Sequence, residues 1–244
     1  MSSVPRYAVF LLAFGCAPVI RAHSYVVELR QVRNGDLLEG RGYSRGYGVN
    51  KSPLVIILPP APNPFVSVTD LMCKTTQTVN NQTGAWPSLE VHPGDRVALR
   101  YRENGDISVP TPNKLTFGTL SVYGTANPIE GEVLSGVHHV WNRNATGGDR
   151  RGRLLARQSF DDGSCYTDDN SILSTSRAAL GQPPHDDLDG QQLACRIEVD
   201  VPGDVPSAST YSLYWVWDWP TYSAVGPGKV KDEMYTTCID LYIA

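Results

Sequence analysis

The stretch that most constrains the fold of this 244-residue chain is residues 211–219, Tyr-Ser-Leu-Tyr-Trp-Val-Trp-Asp-Trp. Successive side chains of a β-strand point to opposite faces, so every second residue here shares a face. One face then carries a row of large apolar side chains. Such a row can stack on sugar rings, but it more often fills the core of a sandwich, and we expect the core. The row consists of Tyr211, Leu213, Trp215, Trp217 and Trp219.

Further short runs with strand character recur along the chain between turns rich in Gly and Pro. One short helix is expected over residues 172–180, inside a long acidic loop. Many short alternating runs with such turns predict an all-β fold, an antiparallel immunoglobulin- or fibronectin-III-like β-sandwich with long loops. The expected strands lie within residues 24–30, 54–58, 96–101, 115–123, 137–141, 154–160, 195–201 and 235–243.

The N-terminus has the pattern of an export signal. An apolar run over residues 7–14 follows Arg6, and Ile20 and Ala22 suit the −3 and −1 positions of a signal-peptidase site. We therefore expect a signal peptide over residues 1–22 and a single secreted, extracellular domain over residues 23–244. The apolar run is too short to span a bilayer, so no stable membrane insertion is expected.

The charge balance argues against a nucleic-acid partner. Removing residues 1–22 removes Arg6 and Arg21, which leaves 19 basic against 25 acidic residues and a net charge of −6. Binding to a phosphate backbone needs a basic surface.

The cysteines and two sequons also fit a secreted glycoprotein. Four of the five cysteines follow residue 22, an even number that predicts two disulfides in an oxidising compartment, with three pairings open. They contain no Cys-x-x-Cys pair, so a zinc site is not expected. The sequons predict N-glycosylation at Asn81 and Asn144.

Cleavage after Ala22 would make His23 the first residue of the mature chain. An N-terminal histidine offers its α-amine and its ring Nδ1 to a metal ion, and nitrogen ligands in a flat arrangement suit Cu(II). The alternative is that His23 is an arbitrary first residue without a role.

Three features in order resemble the secreted fungal lytic polysaccharide monooxygenases. They are the N-terminal histidine, Cys73 followed by the turn and strand at residues 91–101, and the last two strands at residues 211–219 and 233–241. The chain resembles still more closely a fungal secreted domain family of unknown function. The motifs of that family stand here at residues 42–47, 161–166 and 214–221.

The resemblance implies a copper site. The monooxygenases bind copper through the N-terminal histidine, a second histidine and an axial tyrosine or phenylalanine. The first position corresponds to His23 and the axial one to Tyr235, whose alternative role is to pack in the core. The place of the second histidine carries Asp106, so either Asp106 or His138 would complete the site. The resemblance also pairs Cys73 with Cys238, and Cys165 then pairs with Cys195.

Two functions follow from these expectations. The first is a secreted copper-binding protein that acts on cell-wall polysaccharide, with oxidative cleavage left open because the second histidine is missing. The alternative is a non-catalytic glycan-binding or cell-surface module without a metal. The Gly- and Tyr-rich segment at residues 40–48 offers such a module a sugar-binding surface, or else is an ordered loop packed on the sandwich.

Overall fold

The computed structural model describes residues 24–48, 56–109, 111–180 and 192–244. The expected signal peptide and His23 lie outside these residues, and the signal peptide remains a prediction. Within the described residues, no helix is long and apolar enough to cross a membrane.

The elements are short and mostly strands. Helices α1 and α2 comprise Leu134–Val137 and Ile172–Ala179. The strands, in chain order from β1 to β14, are Val26–Arg33, Asp36–Leu37, Ile56–Leu58, Leu89–Val91, Arg96–Tyr101, Thr119–Thr125, Gly152–Ser159, Tyr166–Thr167, Gln192–Leu193, Cys195–Asp200, Ser209–Asp218, Thr221–Tyr222, Lys229–Lys231 and Met234–Ile243.

Two sheets form an all-β sandwich, as predicted. The smaller sheet has the order β10-β5-β1-β2, and every pairing in it is antiparallel. The larger sheet has the order β3-β14-β11-β6-β7, also antiparallel. Strand β4 pairs in parallel with residues 241–243 of β14, beyond the part of β14 that pairs with β3.

The core between the sheets is strongly aromatic. Alternate residues of β11 point into it, and Trp215 and Trp217 are completely buried. The ring of Trp217 stacks on Phe160 at a centroid distance of 3.8 Å and on Tyr235 at 4.7 Å. The tryptophan row of residues 211–219 therefore fills the core and is not available to stack on sugars.

The opposite face of the larger sheet is also covered. Tyr214 and Val216 point away from the first core and pack with Met72, Val137 and Trp141 in a second cluster of buried residues. We call this second cluster the outer cluster; the segments that cover the sheet there come from loops on both sides of β4 and from α1. Strand β11 is thus buried on both faces, which explains why seven consecutive residues of it are buried.

Two disulfides anchor the long loops, as expected of a protein from an oxidising compartment. Cys73 bonds to Cys238 in β14 and ties the outer cover to the larger sheet. Cys165 bonds to Cys195 at the start of β10 and closes the loop that contains α2. These are the two pairs that the resemblance implies.

A buried ion pair fixes the segment at residues 42–47. The guanidinium of Arg45 donates to both carboxylate oxygens of Asp240 at 3.0 and 2.7 Å, and to the hydroxyl of Ser212 at 2.8 Å. Gly42 lies against Leu89, where a Cβ atom would come within 2.4 Å of the Leu89 backbone nitrogen. The segment is therefore an ordered part of the sandwich.

Most predicted strands are present, but the strand predicted at residues 137–141 is wrong. Helix α1 ends at Val137, and both Leu134 and Val137 pack into the outer cluster. His139 then adopts a left-handed conformation, with φ at 62°. The predicted helix at residues 172–180 is confirmed as α2.

Candidate functional site

The first described residues are fixed between the two sheets. Ser24 is fully buried, and its hydroxyl donates to the carbonyl of Arg102 at 2.7 Å. The backbone N–H of Val26 donates to Oγ1 of Thr237 in β14 at 3.3 Å. Ser24, the first residue that the structure describes, is therefore anchored to the residue that follows β5.

Asp106 lies in the turn that follows β5, the strand that ends at Tyr101. Its backbone N–H donates to the carbonyl of Glu103 at 2.8 Å, which closes the turn. Its side chain is 2% exposed, and neither carboxylate oxygen has a hydrogen-bond partner among the described residues. An unpartnered buried polar group costs on the order of 1–3 kcal/mol, so this one calls for an explanation.

The surroundings of Asp106 oppose its negative charge. Burial raises the pKa of its carboxyl group to about 8, with further contributions from the charges of Glu103 and Glu233. Lys114 acts in the opposite direction, but its ammonium group already donates to Glu233 at 2.9 Å. Without a further cation, Asp106 is mainly protonated at neutral pH.

Tyr235 lies on the same inner side of the larger sheet. It stands opposite Trp217 in the β11–β14 ladder and is 2% exposed. Its hydroxyl donates to Glu233 at 2.5 Å, and burial together with Glu233 and Asp106 raises its pKa above the ordinary value. The structure therefore brings Tyr235, Glu233 and Asp106 together and keeps the tyrosine neutral.

His138 does not belong to this group. It lies 3.7 Å from Asp218, measured from Nε2 to a carboxylate oxygen, and Asp218 follows Trp217 in β11. Because consecutive strand residues point to opposite faces, His138 and Tyr235 are separated by the larger sheet. Of the two residues considered for the third ligand, only Asp106 is placed near Tyr235.

Three half-buried aromatic residues form a surface cluster, which we call the aromatic cluster: Tyr43, Tyr47 and Trp86. Their ring centroids are 4.8–4.9 Å apart. The pKa of Tyr47 is raised by burial and then by the neighbouring Tyr25 and Tyr43 hydroxyls. The aromatic cluster is therefore adjacent to the N-terminal segment.

Residues 42–46, Gly-Tyr-Ser-Arg-Gly, also match the letters of a hydrolase nucleophile elbow. Ser44 is completely buried and forms a β-bridge with Ile239, and the chain then enters a turn over residues 45–48. An elbow instead exposes its serine at a turn from strand to helix. The segment is thus not a nucleophile elbow.

The two sequon asparagines differ in environment. Asn144 is exposed, whereas the side-chain amide of the half-buried Asn81 donates to the carbonyl of Thr76 at 2.7 Å. Since a glycan is attached to that amide nitrogen, Asn144 is the more accessible acceptor, and glycosylation of both remains a prediction.

Sequence reasoning missed the groups that surround Asp106. Glu103 and Glu233 lie far apart in the chain, and no spacing in the sequence relates them. The one available signal is that Glu233 stands two residues before Tyr235, on the same face of the chain as it enters β14.

Fold and site together define a disulfide-bonded β-sandwich with a buried carboxyl group that has no hydrogen-bond partner among the described residues. The chain belongs to the family described as a domain of unknown function (DUF7492), whose profile matches residues 20–244. No curated protein matches it significantly. A solved structure named CvAA9A is similar, with a TM-score of 0.43 and 13% identity over 91% of this chain and 78% of that one. A likeness this distant carries no functional information.

Proposed function

We propose that the mature protein is a secreted copper-binding protein that acts at polysaccharide surfaces. Copper is bound by the α-amine and ring of His23 and by the carboxylate of Asp106, with Tyr235 beside them. The observation that carries this proposal is the carboxyl group of Asp106, which is buried, unpartnered and surrounded by further negative charge.

The residues at this place fit a cation. A buried charge is stable only when it is paired or binds a metal, and Lys114 is already engaged by Glu233. The loop that carries Asp106 begins at Arg102, whose carbonyl accepts the hydroxyl of Ser24, the first described residue. Two nitrogen ligands and one oxygen ligand form a set that Cu(II) accepts.

The other residues shape the site without binding the metal directly. The hydroxyl of Tyr235 is held by Glu233, and its raised pKa keeps it from acting as an anionic ligand. Trp217 stacks on Tyr235 and excludes water from the inner side. When bound, copper would supply one-electron redox chemistry.

Calorimetric titration of Cu(II) into the mature protein is the direct test. We expect a tight site whose affinity falls on lowering the pH from about 8, because the amine, the imidazole and Asp106 must all lose protons to bind. A variant with one residue added before His23 should lose the tight site, since its amine becomes an amide.

Asp106→Ala should weaken copper binding, while His92→Ala serves as the matched control, since His92 is exposed and interacts with Asp95 in a distant turn. Equal affinity of the mature and the extended protein would contradict the copper site.

The second candidate is a glycan-binding module without a metal, and the aromatic cluster favours it. Half-exposed aromatic rings next to each other suit stacking on sugar rings. If copper binding fails while the protein still sediments with insoluble polysaccharide, this second function replaces the first.

A further inference from the structure

The outer side of the larger sheet carries a group of metal-ligating side chains that is separate from the site of Asp106. His138, His139 and Asp218 each offer one ligand atom, and these atoms all lie within 4.8 Å of one another. We propose that these three residues bind a divalent transition-metal ion of the zinc type.

The backbone conformation after helix α1 brings both imidazoles to one side of the sheet. Helix α1 ends before His138, and His139 adopts a left-handed backbone in the turn over residues 138–140 that follows. As a result, the two rings lie 3.8 Å apart, and both face Asp218. In the strand predicted here, the two rings would have pointed to opposite faces.

The distances suit a metal better than a hydrogen bond. The carboxylate oxygen Oδ2 of Asp218 lies 3.4 Å from Nε2 of His139 and 3.7 Å from Nε2 of His138. Charge-assisted hydrogen bonds between such groups are shorter, at about 2.7–2.9 Å. With metal–ligand bonds of about 2.0–2.1 Å, two ligands of a tetrahedral ion lie about 3.3–3.4 Å apart.

His138 supplies a second, independent observation that points to a ligand at this place. Its side chain is 4% exposed, and its Nε2 atom has no hydrogen-bond partner among the described residues. Its other ring nitrogen, Nδ1, lies 3.1 Å from the hydroxyl of Tyr123. Metal-bound histidines commonly use one nitrogen for the metal and the other for such an outer partner.

The outer partner is itself held in place. The hydroxyl of Tyr123 accepts the backbone N–H of His139 at 3.1 Å, so Tyr123 fixes both histidines at once. In the metal-bound form, Nδ1–H of His138 donates to the Tyr123 oxygen, which leaves the lone pair of Nε2 directed at the ion.

The charges at the cluster favour binding. Burial disfavours the charged form of His138 and so lowers its pKa, and a metal binds the neutral ring. Asp218, whose carboxylate lies close to both rings, contributes the negative charge of the ligand set. Arg157 and Lys229 also lie within electrostatic range, but both are exposed and therefore screened by solvent.

The ligand set indicates the class of metal. Two imidazoles and one carboxylate occur in catalytic zinc sites, whose fourth position is left to water or a substrate. The side chain of His139 is about half exposed, at 51%, so the fourth position is open to solvent. Hard cations such as Mg²⁺ prefer oxygen ligands and should not bind here.

The test uses ZnCl₂ and the full mature chain carrying His23→Ala, which silences the N-terminal site. Calorimetry should show one Zn²⁺ per chain, and Zn²⁺ should raise the unfolding temperature, whereas MgCl₂ should do neither. His139→Asn and Asp218→Asn should each weaken Zn²⁺ affinity at least about tenfold, the effect of losing even an outer partner. Asparagine tolerates the left-handed backbone at position 139, so this variant should fold.

His92→Asn is the matched control and should bind Zn²⁺ as the parent protein does, because that exposed histidine is remote from the cluster. The proposal is overturned if the parent shows no Zn²⁺ binding, or if His139→Asn and Asp218→Asn bind as tightly as the parent. Because His23 is absent from every protein in this test, its outcome does not depend on the copper site.

Discussion

At the scale of single residues, the buried carboxyl group of Asp106 is the main reason to expect a bound cation. The turn after β5 buries its carboxyl group next to two other acidic residues, without a hydrogen-bond partner in the described part of the chain. An ordinary core position would hold an apolar residue here. Burying this carboxyl group lowers the free energy of unfolding by an amount that depends on pH and can therefore be measured.

We expect the metal-free protein to lose stability as the pH rises from about 4 to above 8. The folded-state pKa of Asp106 is about 8, against 3.8 for the free group, so the folded state binds the extra proton in this range. Asp106→Asn should remove this loss and raise the free energy of unfolding at pH 9 by on the order of a few kcal/mol.

Urea unfolding of both proteins at pH 5, 7 and 9 measures the effect. Asp200→Asn is the control, because Asp200 is exposed and its change should leave the pH profile nearly intact. A parent protein and an Asp106→Asn variant with parallel profiles would show that Asp106 is not the responsible group.

The buried pair of Arg45 and Asp240 gives a second expectation at this scale. Arg45→Ala should lower the free energy of unfolding by about 3–5 kcal/mol, because it leaves a buried carboxylate uncompensated. The double variant Arg45→Met, Asp240→Asn carries no buried charge and should recover part of this loss. Denaturant unfolding measures both, and equal losses in the two variants would argue against the charge as the cause.

At the scale of elements, strict alternation of apolar and polar residues predicted the strands reliably. Strand β5 was predicted at its exact bounds, and β10, β11 and β14 within two residues, because each buries alternate apolar side chains in the inner core. The strand predicted at residues 137–141 was wrong because five residues of strand-like composition are too few to show an alternating pattern. The outer cluster, which the sequence did not indicate, decides its conformation.

The candidate sites were only partly predictable for a similar reason. The positions of Asp106 and Tyr235 follow from a resemblance in the order of strands. The contacts with Glu233, and the meeting of His138 and His139 at Asp218, depend on which face of β11 each residue occupies and on one left-handed residue. Neither can be obtained from spacing alone.

The two disulfides should differ in their contribution to stability. The Cys73–Cys238 bond joins residues 165 positions apart, and the Cys165–Cys195 bond joins residues 30 apart. In the chain-entropy description, replacing both cysteines by alanine should cost about 5 kcal/mol for the first pair and about 4 kcal/mol for the second. Thermal and urea unfolding of the two double variants measure this order, and the reverse order would rule out chain entropy as the main cause.

At the scale of the whole molecule, the aromatic cluster lies next to the N-terminal segment, so a bound polysaccharide would lie near the proposed copper site. Trp86→Ala should weaken binding to insoluble polysaccharide on the order of two- to tenfold, since aromatic contacts contribute about 0.5–1.5 kcal/mol beyond area burial. Sedimentation assays measure the bound fraction.

Phe65→Ala is the control, as it removes a half-exposed aromatic residue outside the cluster. Unchanged binding by Trp86→Ala, or an equal loss in Phe65→Ala, would show that the cluster is not the binding surface.

The position of β14 in the larger sheet also determines when this domain can fold. This strand, synthesised after all the others, pairs with β3, β4 and β11 and bears Cys238. A growing chain that has not yet released β14 leaves one side of β11 unpaired and exposes aromatic side chains made for the interior. The sandwich therefore stays incomplete during synthesis until β14 emerges, and its exposed apolar side chains are prone to aggregation until then.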